Sequence, residues 1–439
     1  RTLQISSLSA HGGDAANPFS AFTGIGGNGA SKGGDSGSIG NAVTNNVLGS
    51  GGSISISATQ NITANGDWIT RGGNASGSFT ANAGKAGNGT GPAAAGGNGG
   101  SIGNAASGGN GGLITITAGG NIITSPRTIE SDGGTGMFNQ ANGLPFAGFG
   151  GTGTAISGGK GGAVGNAGSG GNGGNISITA NGSSSAFGAI NSRGGSGALL
   201  SARAGDGGAV STGTGGDGGA LGLSGSGGNG GQVSISIPNG QITLNGSILT
   251  TGGKGSSGGN GQSGNGGVGS TGGNGGLHAG GGSGGNGNTI TLNANAIAAF
   301  GASLNASGGD LDQANITTGF GGDAVNGGTG GNGGNILQRG NAGSGGAINL
   351  TGGGSLLGFN VTNITSSGGS VINAGITTSG DGGSFVTLNT ALNGGNGGTI
   401  GNAASGGKGG NLTITSSNNV QLITVTLSGG NAGTFTGAT

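Results

Sequence analysis

Short segments that alternate between apolar and polar residues recur along the chain, from SISIS at 53–57 to NLTIT at 411–415. In each segment the second and fourth residues are aliphatic, and the others are mostly Ser, Thr, Asn or Gln. Strict alternation with β-branched residues is typical of a β-strand with one buried face. We therefore predict a repeated strand, strand A, whose aliphatic residues form a structural seam. The seam residues are Ile54, Ile56, Ile114, Ile116, Ile176, Ile178, Val233, Ile235, Ile290, Leu292, Ile348, Leu350, Leu412 and Ile414.

A second apolar marker stands four positions before a Gly-Gly pair and returns every 56 to 61 residues. It predicts a second strand, strand B. Each period of about 60 residues then contains strand A, a short turn, strand B and a long glycine-rich excursion. The strand B markers are Leu8, Trp68, Ile129, Ile190, Ile248, Leu304, Ile364 and Val425.

These two markers predict the fold class and the domain organisation. We expect an all-β protein, a parallel β-solenoid-like stack of about 60-residue repeats in which each strand pairs with its equivalent about 4.8 Å away. Residues 1–439 then form a single repeat array with a partial repeat at each end. Its divisions are 1–52, 53–112, 113–174, 175–231, 232–288, 289–346, 347–410 and 411–439.

The glycine-rich excursions follow a three-residue period. Residues 96–112 read GGN-GGS-IGN-AAS-GGN-GG, and residues 158–174 and 394–410 repeat the same phase. The period suits interleaved polyglycine-II helices, with three residues per turn, because faces of Gly or Ala let neighbouring helices exchange backbone hydrogen bonds. A flexible Gly/Ser linker is the alternative, but the preserved phase favours order. Collagen is excluded, since Gly falls twice per triplet and the chain has only 5 Pro.

Composition narrows the classes of function. The chain has 439 residues with 130 Gly, 5% charged residues and no Cys, which excludes a disulfide framework and thiol chemistry. Its 11 basic and 11 acidic residues provide no basic face, so we expect no nucleic-acid partner. No apolar run approaches the roughly 20 residues of a membrane helix, so we expect no membrane insertion.

The residues that could carry chemistry are few and isolated. His11 and His278 lack sequence partners for a catalytic triad or a metal site. Asp310 and Asp312 share one side of an extended segment, and a solvated loop is favoured over paired catalytic carboxylates. No G-K-[ST] phosphate loop occurs, and Asp does not recur in phase with the glycines. We therefore expect no enzymatic activity, no catalytic residue, no metal and no cofactor.

Twelve Asn residues stand in N-x-S/T sequons, which accept glycans outside a cell. Many such sequons arise by chance in a chain this rich in Asn, Ser and Thr, so they are candidate glycosylation sites only. The candidates are Asn61, Asn74, Asn88, Asn175, Asn181, Asn245, Asn305, Asn315, Asn349, Asn360, Asn363 and Asn411.

The polar face of strand A gives a second functional hypothesis. Its hydroxyl residues would form a flat, uncharged ladder able to bind ice or a polysaccharide. The competing interpretation, which we favour, is that this face packs on another part of the layer or faces water. The ladder residues are Thr115, Thr117, Ser177, Thr179, Ser234, Ser236, Thr413 and Thr415.

Two resemblances bear on the setting of the protein. The GGN-GG triplets resemble those of glycine-rich PGRS-type surface proteins and the polyglycine-II bundles of some phage adhesins and antifreeze proteins. The GGxIxIT segments resemble the strands of filamentous-haemagglutinin-type β-solenoids. Both resemblances imply a surface or secreted setting and a structural or adhesive role, and neither transfers a functional residue.

We predict an extracellular or cell-surface structural protein, the subunit of a self-assembling filament or surface fibre. The sequence starts at strand B and stops just beyond strand B without a polar cap, which favours a head-to-tail homo-oligomer. A window from a longer array would give the same matching ends. The alternative function is a surface adhesin, or an ice- or polysaccharide-binding module that uses the Ser/Thr ladder, with glycans as partners.

Overall fold

The regular structure of the described chain is all β-strand. No helix occurs in the described ranges, and the strand pairings within them are parallel. The computed structural model describes residues 2–15, 19–43, 47–75, 78–138, 146–256, 259–313, 315–325, 327–353, 359–360, 363–372, 376–386, 393–417, 420, 422, 424–432 and 436–438.

Most strands are short, and each belongs to one of several sheets. In chain order they are β1 (Leu3–Ile5), β2 (Leu8–Ser9), β3 (Phe19–Phe22), β4 (Ile54–Ala58), β5 (Ile62–Ala64), β6 (Trp68–Ile69), β7 (Phe79–Asn82), β8 (Ile114–Ala118), β9 (Ile122–Ile123), β10 (Ile129–Glu130), β11 (Ile176–Ala180), β12 (Ser184–Phe187), β13 (Ile190–Asn191), β14 (Leu221–Leu223), β15 (Val233–Leu244), β16 (Ile248–Leu249), β17 (Gly255–Ser256), β18 (Gly261–Gln262), β19 (His278–Gly280), β20 (Ile290–Phe300), β21 (Ser303–Asn305), β22 (Leu311–Asp312), β23 (Ile316–Thr317), β24 (Ala324–Val325), β25 (Ile336–Gln338), β26 (Ala347–Gly352), β27 (Phe359–Asn360), β28 (Asn363–Thr365), β29 (Val371–Ile372), β30 (Ile376–Thr378), β31 (Phe385–Val386), β32 (Asn411–Ser416), β33 (Val425–Thr426) and β34 (Thr436–Ala438).

Strand A stacks on itself from repeat to repeat. It forms β4, β8, β11, the first part of β15, the first part of β20, β26 and β32. Ile176 pairs with Ile114 on one side and with Val233 on the other, so equivalent residues of successive repeats are neighbours. This register is fixed because a slip by one residue would turn the aliphatic side chains to the opposite face.

Strand B stacks in the same way and forms an eight-stranded sheet, β2-β6-β10-β13-β16-β21-β28-β33. All eight strand B markers lie in one continuous ladder of this sheet. Chain segments that follow strand A and precede strand B form a third ladder, which contains β1, β5, β9, β12, the later parts of β15 and β20, and β27. The expected short turn between the two strands therefore contains a further strand, and the sequence prediction was wrong at this point.

The core is a narrow aliphatic column that runs through the stacked repeats. Twelve of the fourteen seam side chains are at most 7% exposed, and Leu412 and Ile414 are partly buried against the same column. Trp68 and Phe187 are fully buried in it and supply its largest side chains. Burial of stacked apolar side chains is the main favourable term in the absence of disulfides.

The glycine-rich segments form hydrogen bonds with a three-residue period although few of their residues are in strands. One set of backbone N–H groups donates to carbonyls of the next repeat, and the set one residue later donates to carbonyls of other glycine-rich or strand segments. The first set is Gly96, Gly99, Ile102, Ala105, Gly108 and Gly111, and the second is Gly97, Gly100, Gly103, Gly109 and Gly112. The polyglycine-II conformation itself stays a prediction.

Contact between layers requires glycine in these segments. A Cβ atom on Gly171 would overlap the carbonyl group of Gly109 in the neighbouring layer. A Cβ atom on Gly173 would lie 2.6 Å from the carbonyl oxygen of Ser192. The obstacles are backbone atoms, which cannot move aside by changing a rotamer, so even the smallest side chain would separate the layers.

Candidate functional site

The outward face of the strand A sheet carries two parallel files of small polar side chains. Alternation along each strand turns the aliphatic seam inward and these residues outward. Ser177, for example, lies between Thr115 and Ser234 of the neighbouring strands. The first file is Ser55, Thr115, Ser177, Ser234, Thr291, Asn349 and Thr413, and the second file is Ser57, Thr117, Thr179, Ser236, Asn293, Thr351 and Thr415.

This hydroxyl face is accessible and uncharged. All fourteen side chains are exposed or half-buried, and they include the eight predicted ladder residues. Neighbours in one file are about 4.8 Å apart, and the two files are about 6.6 Å apart. The hydroxyl face is therefore in contact with water, which is one of the two possibilities in the interpretation that we favoured from the sequence. Its hydroxyl and amide groups can donate and accept hydrogen bonds.

A ladder of side-chain amides runs along the glycine-rich segments, and sequence reasoning missed it. The side-chain oxygen of Asn110 accepts the backbone N–H of Asn172 at 2.8 Å, and Asn172 and Asn229 act in the same way toward the next repeat. Ser and Asp take this role elsewhere, as Asp217 does for the N–H of Asn274 at 3.1 Å. The polar third residue of each glycine-rich triplet was the sequence feature that could have predicted this ladder.

An ion-pair cluster joins three successive repeats after strand B. Arg71 donates to both carboxylate oxygens of Glu130, and Arg193 donates to Asp132 with an Nη2–Oδ2 distance of 2.5 Å. Both acidic residues, Glu130 and Asp132, are buried. Burial raises the pKa of Asp132; it also opposes ionisation of Glu130, but the Arg71 guanidinium outweighs it and holds the pKa of Glu130 below its ordinary value.

That ion-pair cluster has a structural explanation. Arg71, Asp132 and Arg193 occupy the same position of successive repeats, so charges of alternating sign stack next to one another. This alternation was present in the sequence as the residue three positions after the markers Trp68, Ile129 and Ile190. The cluster holds neighbouring layers together through charge-assisted hydrogen bonds.

The two histidines lie in different environments. His278 replaces an aliphatic residue in the ladder between Leu221 and Ile336 and is completely buried. Its Nδ1 accepts the backbone N–H of Gly280 at 2.9 Å, and burial lowers the pKa of His278 to about 4. His11 lines a small hollow of about 180 Å³.

The other candidate residues for chemistry do not form a site. The Asp310 side chain accepts the backbone N–H of Ser370 at 2.8 Å and thus belongs to the amide-type ladder, whereas Asp312 is exposed. Among the residues that the structure describes, no group of three or more His, Cys, Asp or Glu could hold a metal ion.

The sequon asparagines are distributed over the surface of the stack. Asn61, Asn175, Asn181, Asn245, Asn315, Asn363 and Asn411 are exposed, and Asn74, Asn88, Asn305 and Asn349 are half-buried. The side chain of Asn360 lies outside the described part. Asn61, Asn88 and Asn175 accept ladder hydrogen bonds through Oδ1, which leaves Nδ2, the atom that a glycan modifies, outside those bonds. Glycosylation stays a prediction.

Comparison with family models, with curated proteins and with solved structures finds no match for this chain. Within the described ranges there is also no helix long and apolar enough to cross a membrane. The chain's own fold therefore defines its class, an all-β protein of parallel sheets in which equivalent segments pair from repeat to repeat.

Proposed function

We propose that the protein is an extracellular structural subunit that stacks head to tail into a filament or surface fibre. The observation that carries the proposal is the presence of glycine at four outer positions of the first layer, where no contact with another described residue requires it. The finer fold that we propose is a β-solenoid-like stack with polyglycine-II segments, supported by the three-residue period of the hydrogen bonds.

Four pairs of equivalent glycines in the first two layers show this difference between an inner and an outer position. In the second layer, a Cβ atom on Gly87 would overlap the carbonyl group of Gly27. On Gly27 itself, a Cβ atom would meet nothing within 4 Å. The same contrast holds for Gly73 with Gly13, Gly84 with Gly24, and Gly103 with Gly40.

A preceding layer at the same spacing would require glycine at all four first-layer positions. The proposal takes this layer to be the last repeat of a second copy, because the strands pair in the same way along the stack. A further repeat of a longer chain would fit the same four glycines, so assembly of the 439-residue protein decides between the two. Val425 and Leu427 of the last repeat are 40% and 37% exposed, and Leu3 of the first is 41% exposed. Stacking would cover these apolar side chains and pair the open strand edges β4 and β32.

Replacing Gly27 with valine tests this proposal. We expect the 439-residue protein to form filaments in negative-stain electron microscopy and to sediment as large species. Gly27→Val should remain folded, with an unchanged melting temperature, and should weaken association about tenfold or more because the side chain overlaps the incoming layer.

Ser9→Val is the matched control for that variant. It adds a valine to the same layer at a strand position where Ile69 and Leu249 stand in other repeats, so assembly should persist. A wild-type protein that stays monomeric, or a Gly27→Val protein that assembles normally, would refute head-to-tail stacking.

A second candidate function is binding of ice or an insoluble polysaccharide at the hydroxyl face. Its support is the exposure of both files across seven strands of one register. Thermal hysteresis, or retention of the protein on an insoluble glycan, distinguishes a binding module from a purely structural subunit. Neither effect is expected if the face only contacts water.

A further inference from the structure

A groove of about 660 Å³ crosses four successive repeats on a different part of the surface from the hydroxyl face. In each repeat the lining residues belong to one four-residue segment, whose first and fourth residues are polar and line the groove and whose second and third residues are glycine. The four segments are Thr214 to Asp217, Thr271 to Asn274, Thr329 to Asn332 and Asn393 to Asn396.

Backbone and side-chain hydrogen bonds hold the two polar files of this groove in register. Thr214 pairs with Thr271, and Gly272 donates its N–H to the carbonyl oxygen of Thr329 at 2.9 Å. In the other file, Asn274 Oδ1 accepts the N–H of Asn332 at 3.0 Å. The residues between the two files are glycines, so no side chain lies between the files, and a Cβ atom on Gly330 or Gly395 would overlap the backbone of another segment.

The chemistry of the groove suits a ligand rich in hydroxyl groups. The threonine file supplies hydroxyls. In the asparagine file, the Oδ1 atoms of Asn274 and Asn332 accept ladder hydrogen bonds, so their Nδ2 groups supply the donors, and Asn274 Nδ2 also donates to Asp217 Oδ1 at 3.3 Å. Its one carboxylate, Asp217, is paired with Lys160 at 3.2 Å, so the groove carries no unpaired charge. Its polar groups repeat every 4.8 Å or so along the stack, a stride close to that of one pyranose residue in an extended glycan.

We propose that this groove binds a single chain of an uncharged polysaccharide that lies along the stacking axis. Four layers offer a contact length of roughly 14 Å, enough for about three sugar residues. The site does not rest on head-to-tail assembly, since all four segments belong to one copy of the chain. It is also separate from the hydroxyl face of strand A.

Exchanging Asn for Asp separates ligand binding from the structural ladder. Asn332→Asp keeps the oxygen that accepts the N–H of Asn396 but removes the outward amide donor, and Asp217 already fills the same position natively. Thr271→Val removes one hydroxyl from the opposite file with little change of shape. Asn229→Asp makes the same exchange in the amide ladder outside the groove and is the matched control.

The experiment is isothermal titration of the full 439-residue protein with laminarin, xyloglucan and dextran. We expect at least one of these polysaccharides to bind, about tenfold weaker binding in Asn332→Asp, several-fold weaker binding in Thr271→Val, and no change in Asn229→Asp. Binding by none of the three polysaccharides overturns the proposal. The proposal is also overturned if Asn332→Asp and Thr271→Val bind the polysaccharide normally while Thr117→Val, on the hydroxyl face, abolishes binding.

Sedimentation of the same variants keeps this result apart from the proposed filament. Asn332→Asp and Thr271→Val should assemble like the wild type, because neither residue lies in the first or last layer. A loss of glycan binding with normal assembly supports the groove, whereas normal glycan binding by a protein that never assembles would reject only the filament.

Discussion

Gly111→Val or Gly173→Val is expected to destabilise the protein by about 4 kcal/mol or more. A Cβ atom on Gly111 would lie 2.6 Å from the backbone nitrogen of Gly174, and one on Gly173 would lie 2.7 Å from that of Gly231. Both contacts are between successive repeats, and both involve backbone atoms. Valine can therefore be accommodated only by separating layers, which breaks the hydrogen bonds and the aliphatic column together.

Urea unfolding followed by circular dichroism measures this effect, and Ser107→Ala is the control. Ser107 lies in the same segment as Gly111, and its Oγ accepts the N–H of Ser169 at 3.1 Å. Losing that acceptor should cost only about 1 kcal/mol. Hydrogen exchange should locate the damage near the substituted layer, since each repeat contacts its neighbours. Stability equal to that of Ser107→Ala would contradict close glycine packing.

Removing the buried histidine is expected to abolish part of the pH dependence of stability. The pKa of His278 falls from 6.5 to about 4 on burial. Between these values the unfolded chain binds the proton more tightly than the folded chain, so stability decreases as the pH falls from 6.5 toward 4. The loss is complete below the folded pKa and amounts to about 3 kcal/mol.

His278→Leu tests that expectation because Leu221 fills the equivalent position of the preceding repeat. Free energies of unfolding at pH 7.5, 5.5 and 4 should decrease less in the variant than in the wild type. Carboxyl groups titrate in both proteins, so the difference between the two curves isolates the histidine. Parallel curves would show that His278 is protonated as easily in the folded chain as in the unfolded chain.

The two main ladders could be predicted because their information is local. Alternation within five residues identified strand A, and one apolar residue before Gly-Gly identified strand B. The middle strand gave no such signal. Its members, such as β5 with ITA and β12 with SSAF, share no pattern of apolar residues, and their pairing follows from the positions of the flanking ladders.

The same distinction between local and non-local information applies to the hydroxyl face, the groove and the buried histidine. The hydroxyl face follows from alternation, so its residues could be named from the sequence. The groove depends on Thr and Asn residues three positions apart being brought side by side with their equivalents in other repeats. The burial of His278 depends on an aliphatic ladder whose other members, such as Leu221 and Ile336, lie in separate glycine-rich segments.

The amide ladder also gives the molecule a direction. Asn110 accepts from Asn172, Asn172 from Asn229, and Asn229 from Asn286, always from the following repeat to the side chain of the preceding one. All described strand pairings are parallel as well. The two ends of any such stack are therefore chemically unlike, one presenting acceptors and the other donors. A fibre of these layers would have structural polarity, as other head-to-tail polymers do. Two identical ends of such fibres could not pair with each other, because both would present donors or both would present acceptors.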